Sequence, residues 1–138
     1  MKLGADGVQL GTRFVTTTEC DASEIFKQAY IDATEADVEI IKSPVGMPGR
    51  AIFSDFLQKV KDGEKQPKSC PFHCIKTCQI ETSPYCIMLA LFNAYKGNMT
   101  MGYAFAGTNA HLATAIVTVK DTMDAIQEEY KAREKELV

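Results

Sequence analysis

Two groups of residues in this chain have types and spacings that suit chemistry. The first is Gly7-Val8-Gln9-Leu10-Gly11-Thr12-Arg13-Phe14. Residues 7–10 read as a short strand of the buried type that runs into a Gly-Thr turn. Such a turn presents bare backbone N–H groups to an anion, a phosphate above all. A residue without Cβ lets the anion come close to the backbone. Gly11 supplies that access, Thr12 adds an N–H and a hydroxyl, and Arg13 brings a positive charge nearby. An ordinary tight turn after a strand satisfies the same pattern, because short glycine motifs are weak signals.

The second group is Cys70, Cys74, Cys78 and Cys86, with His73 among them. A spacing of four predicts that the first three thiols share one helical face, with Cys86 returning from the next turn or helix. Thiolates at this density suit zinc or an iron–sulfur cluster. The spacing matches no common zinc knuckle, and a straight helix spreads the first and third thiols over about 12 Å. Two other readings stay open: small buried residues packing a helix pair, and redox or disulfide chemistry. Cys20 stands apart and reads as structural. His73 reads as a surface residue or a further ligand. His111 follows Gly107-Thr108-Asn109-Ala110, a glycine turn opening a helix, where Thr108 or Asn109 suits the N-cap. Paired carboxylates, a nucleophile elbow and a zinc-protease motif are all missing from the sequence.

These groups need elements to position them. Asp21 with Glu24 three residues later predicts a helix N-terminus, and Ile25, Phe26, Ala29, Tyr30 and Ala33 form one face of a helix over 22–34. Val38 to Ile41 predicts a short strand. Pro44, Gly46, Pro48 and Gly49 predict a loop, and Ala51 to Lys61 a helix. Residues 62–69 read as a polar loop, with Lys59, Lys61, Lys65 and Lys68 as its solvated charges. Pro71 suits the first position of a short helix. Further helices are expected from Pro84 to about Lys96, ending at Gly97, and from Asn109 to about Ile116. Residues 99–108 read as irregular. Thr118 and Asp121 frame a last helix with Val119, Met123, Ile126 and Tyr130 as its buried stripe. Met1 to Gly4 read as the last turn of a helix closed by glycine.

The chain has 138 residues, 46% of them hydrophobic, and a net charge of −3. That suffices for one core, and residues 1–138 read as a single domain. The charge balance gives no case for nucleic acid or an anionic membrane. No run reaches the length of a membrane span, and the opening residues do not read as a signal peptide. The expected compartment is the cytoplasm.

The string Leu3-Gly4-Ala5-Asp6-Gly7-Val8-Gln9-Leu10-Gly11-Thr12-Arg13-Phe14 closely resembles the last barrel strand of the FMN-dependent nitronate monooxygenases, also called 2-nitropropane dioxygenases. The flavin-dependent enoyl-acyl-carrier-protein reductases carry a similar segment. The resemblance continues more loosely through Phe26 to Ala29, Gly46 to Ala51, Gly102 to Gly107 and the final helix. It implies an α/β fold, the C-terminal portion of a TIM barrel, in which this chain is mainly helical with one or two short strands. A full barrel needs about 250 residues, so seven strands would lie outside this chain. The resemblance implies FMN, with Gln9, Gly11 and Thr12 on its phosphate side and Thr108 and Asn109 as further flavin or substrate contacts. The family's histidine base belongs to the amino-terminal part of the barrel, so no residue here inherits that role. Nitronates, enoyl thioesters and other conjugated acceptors are compatible substrates. A lone barrel strand has no neighbours for its backbone groups, so self-association or association with the missing barrel part is expected. The cysteine group lies outside the family pattern.

Overall fold

The computed structural model describes residues 4, 6–64, 67–76 and 78–135. The helix turn expected at Met1–Leu3 and the side chain of Lys65 lie outside them. Four helices are present among the described residues: α1 (Glu24–Asp32), α2 (Asp55–Lys61), α3 (Ile87–Tyr95) and α4 (Val119–Lys135). Three short strands, β1 (Val38–Lys42), β2 (Pro48–Ile52) and β3 (Ala104–Phe105), form an antiparallel sheet in the order β1-β2-β3. The register pairs Val38 with Ile52 and Lys42 with Pro48, and then Ala51 with Phe105.

Alternation along β2 divides the core. Successive strand residues point to opposite faces. Ala51 packs with Ile41, Phe56, Leu57, Tyr85, Ala90 and Tyr103, which puts α2 and α3 on one face. Ile52 packs with Tyr30, Ala33, Ala104 and Ala110 on the other, the α1 side. The phenol of Tyr103 accepts a hydrogen bond from Tyr85 at 3.1 Å, and Tyr30 donates to the Phe105 carbonyl at 2.6 Å. Gly102 lets α3 dock against the chain entering β3. A Cβ there would run into the Ala90 carbonyl and come within 2.8 Å of the Ala94 nitrogen.

Several expectations hold. β1 lies where the alternation places it, α3 ends before Gly97 at φ +91°, and α4 begins at Val119, directly after Thr118. Other expectations need correction. Ser23, not Asp21, caps α1, its Oγ accepting the Phe26 N–H at 3.2 Å. The face of α1 also differs: Ile25 is exposed while Lys27 is buried, its Nζ donating to Glu24 at 3.0 Å. Pro48 and Gly49 open a strand rather than complete a loop. Ala51 and Ile52 belong to that strand, so α2 starts only at Asp55, after Ser54, whose Oγ accepts the Leu57 N–H as the N-cap. Residues 109–116 hold only a 3-10 turn, Ala110–Leu112. No helix opens at Pro71. Residues 7–10 form no strand, for want of a neighbouring strand among the described residues, and Val8 is 79% exposed. The stripe expected on α4 is covered only in part: Val119 and Ile126 are half-buried, while Met123 and Tyr130 are exposed. No helix among the described residues is long and apolar enough to cross a membrane.

Candidate functional site

The Gly-Thr turn first closes on itself. Phe14 N–H donates to the Gly11 carbonyl at 3.0 Å and Val15 N–H to that of Thr12 at 3.2 Å, forming a 3-10 turn over Thr12–Phe14. The opening N–H groups of such a turn find no partner within it. The Thr12 hydroxyl reaches further and accepts the Gly107 N–H at 2.9 Å. That bond joins two stretches 95 positions apart. A cavity of about 560 Å³ results, with Gln9, Gly11, Thr12 and Arg13 on one side and Thr108 and Asn109 on the other. Cofactor and ligand pockets fall in the range of roughly 300–1,000 Å³.

Gly11 is exposed, with a φ of −112° that any residue adopts. A Cβ built there meets nothing within 4 Å. The protein itself therefore makes no demand for glycine at this position, and the space beside it belongs to the cavity. Arg13 does bring a positive charge, but shares it with Glu129 of α4 at 3.4 Å. The wall behind the turn is held by Thr18 N–H to the Val117 carbonyl at 2.9 Å and Val117 N–H to the Thr16 carbonyl at 3.1 Å.

The start of α4, next along from that wall, is capped twice. Asp121 accepts the Thr118 hydroxyl at 2.6 Å and its N–H at 3.1 Å, and these bonds hold its carboxyl below the usual carboxylate range. Glu19 accepts the Val119 N–H at 2.9 Å. The hydroxyl of Thr18 and that N–H lower its pKa in the same way. Carboxylates at a helix N-terminus also complement its dipole.

Sequence reasoning named Gln9, Gly11, Thr12, Thr108 and Asn109, and the fold brings all five to one cavity. It missed Thr16, Leu112 and Thr114, which line the same space. No motif marks them; they enter through the Thr16–Val117 pairing, which is non-local. His111 does not line the cavity, and its Nδ1 is buried with no hydrogen-bond partner among the described residues.

The cysteine group is placed differently from expectation. Residues 67–76 and 78–83 form turns and irregular chain, so Cys70, Cys74 and Cys78 do not share a helical face. Among the described residues, no group of three or more His, Cys, Asp or Glu is placed to hold a metal ion. The zinc or iron–sulfur expectation at Cys70, Cys74, Cys78 and Cys86 finds no support among the described residues. All four are free thiols, as is Cys20.

The family model for nitronate monooxygenase matches residues 1–129. The chain belongs to the nitronate monooxygenase family. A probable nitronate monooxygenase of Staphylococcus haemolyticus is 30% identical over 129 residues, which is 94% of this chain and 33% of the relative. Another, from Staphylococcus saprophyticus, is 35% identical over 71 residues, or 51% of this chain and 20% of the relative. The structure of FabK from Thermotoga maritima superposes with a TM-score of 0.76 at 26% identity, over 99% of this chain and 40% of that one. The chain thus spans a third or less of the length of these curated relatives. Its fold class is that of part of a TIM-barrel protein, mainly helical in this part.

Proposed function

We propose that this chain contributes the FMN phosphate-binding turn of an oxidoreductase of the nitronate monooxygenase type. The observation that carries the reading is Gly11: a backbone position open to the cavity, with no protein atom where its Cβ would stand. In this reading the N–H groups of Gly11 and Thr12 receive the phosphate oxygens. Gln9 orients the ligand from the preceding residues, and Arg13 adds charge. Thr12 has a second task, because its hydroxyl positions residues 107–109 over the same space. Thr108 and Asn109 then offer donors and acceptors to the flavin or to a small-molecule substrate. Once bound, the flavin supplies the electron transfer.

The exposed Val8 and Leu10, and the uncovered Met123 and Tyr130 of α4, support a further part of this reading. The chain works beside the remaining portion of a barrel, in the cytoplasm, rather than as a complete catalyst. The acidic balance, −3 overall, suits a small-molecule enzyme rather than a nucleic-acid binder.

The test compares FMN with riboflavin, which lacks the phosphate, by quenching of flavin fluorescence. Two charge-assisted hydrogen bonds contribute about 1.5–3 kcal/mol each, so FMN should bind at least about 100-fold more tightly. Equal affinity for the two ligands would overturn the phosphate assignment.

A further inference from the structure

A second cavity, of about 430 Å³, shares no lining residue with the Gly11 cavity and is lined by four of the chain's five cysteines. Cys70 and Cys74 enter it from one limb, and Cys78 and Cys86 from the chain that leads into α3. The two sides are held unequally. Cys86 is the N-cap residue of α3, whose Ala90 and Ala94 are buried in the core and against which Gly102 packs. The described residues of the 67–76 limb form no helix or strand. The bond at its first cysteine is local: His73 N–H donates to Cys70 Sγ at 3.4 Å. Cys74 is exposed to solvent, while Cys86 is only partly so. A disulfide needs its two Cα atoms within about 4.4–6.8 Å. A limb outside any ladder reaches such a geometry without breaking regular hydrogen bonds. A tether of twelve positions also holds the two thiols at high effective concentration.

We propose that Cys74 and Cys86 form a reversible disulfide, which makes this cavity a thiol redox site whose oxidant is a hydroperoxide. The exposed Cys74 thiolate attacks the peroxide, giving a sulfenic acid and releasing water or the alcohol. Cys86 then attacks that sulfur, forming the S–S bond and expelling the oxygen as water. Two electrons pass from the thiols to the peroxide, and a dithiol reductant returns them. Oxidation pins the 67–76 limb to the N-terminus of α3.

Trypsin separates the partners, because Lys68, Lys76 and Lys96 bound one peptide with Cys70 and Cys74 and another with Cys78 and Cys86. The reduced 138-residue chain is treated with one equivalent of hydrogen peroxide, alkylated and digested without reduction. The expected product is a single species joining both peptides, with two thiols per chain lost to alkylation and both recovered with dithiothreitol. Cys86→Ser should abolish the link and leave a sulfenic acid at Cys74 that dimedone traps. Cys74→Ser, at an exposed position, should abolish it as well, whereas Cys70→Ser should keep it. Separate peptides with every thiol alkylated would overturn the proposal. So would a link that survives either Cys74→Ser or Cys86→Ser, or cross-links found only between chains.

Discussion

The Gly-Thr turn is tied to partners 95 to 116 positions away, through Gly107 N–H on the Thr12 hydroxyl and Glu129 on Arg13. The hydrogen bonds at Cys70 and Cys78 span three to five positions: His73 N–H on Cys70, Cys78 N–H on the Ile75 carbonyl, and Ser83 beside Cys78. Long-range bonds of the first kind exist only once the whole fold has formed. They deliver a cavity already shaped for a ligand, which spares the ordering cost at binding. Local bonds of the second kind open without disturbing the core, so such segments belong to the low-stability end of a protein. The first arrangement suits a resident cofactor, and the second suits a site that changes state.

The sharpest way to break this contrast is Gly11→Val. With no atom within 4 Å of the new Cβ, thermal stability should be unchanged while FMN affinity falls about 100-fold, from loss of the charge-assisted bonds. Paired melts and titrations report both, and a large fall in Tm would make Gly11 structural. Next in size is the alkaline response of the buried tyrosines. Burial raises the phenol pKa of Tyr30, Tyr85 and Tyr103 above the usual 10.0. The unfolded chain then holds fewer protons than the folded one above that pH, so stability present below about pH 10 should fall as pH rises further. Urea midpoints across that window test the sign. Tyr30→Phe should flatten part of the slope while costing about 1 kcal/mol at neutral pH.

Thr12→Val sharpens the contrast at a single bond. Losing the hydroxyl acceptor for Gly107 N–H should cost about 1 kcal/mol and speed hydrogen exchange at that amide, with exchange in residues 69–83 unaltered. The smallest effects should come from Arg13→Gln, an exposed pair worth about 0–1 kcal/mol, and from Cys74→Ser, within about 0.5 kcal/mol. A larger loss at Cys74 would mean that the limb supports the fold after all.

Local signals read well where the chain itself supplies the partner. Thr118 and Asp121 cap α4 with their own side chains, and Gly97 ends α3 by its own backbone conformation. The signals misled where the partner is distant. Pro48 and Gly49 carry loop chemistry, yet β1 pairs them into a strand from its first residue, a position that tolerates proline. The i, i+4 spacing of Cys70, Cys74 and Cys78 suits a helix, yet this segment lacks the apolar face that tertiary packing rewards. Gly7 to Leu10 read as a strand because its apolar residues expect neighbours on both sides, and none stands beside it among the described residues. The candidate site was legible as two separate motifs, around Gly11 and Gly107. Their meeting through Thr12, and the contribution of Thr16 and Thr114, depend on packing that no spacing encodes.

The close passage of Gly102 beneath α3 has a consequence for how this chain tolerates variation. In a saturation library scored once for cellular abundance and once for ligand binding, every substitution at Gly102 should fail both screens together, because the Ala90 carbonyl leaves no room for a side chain. At Gly11 the two scores should separate, with variants abundant yet blind to the ligand. Positions of the first type record the history of the fold, and positions of the second type record selection for its use.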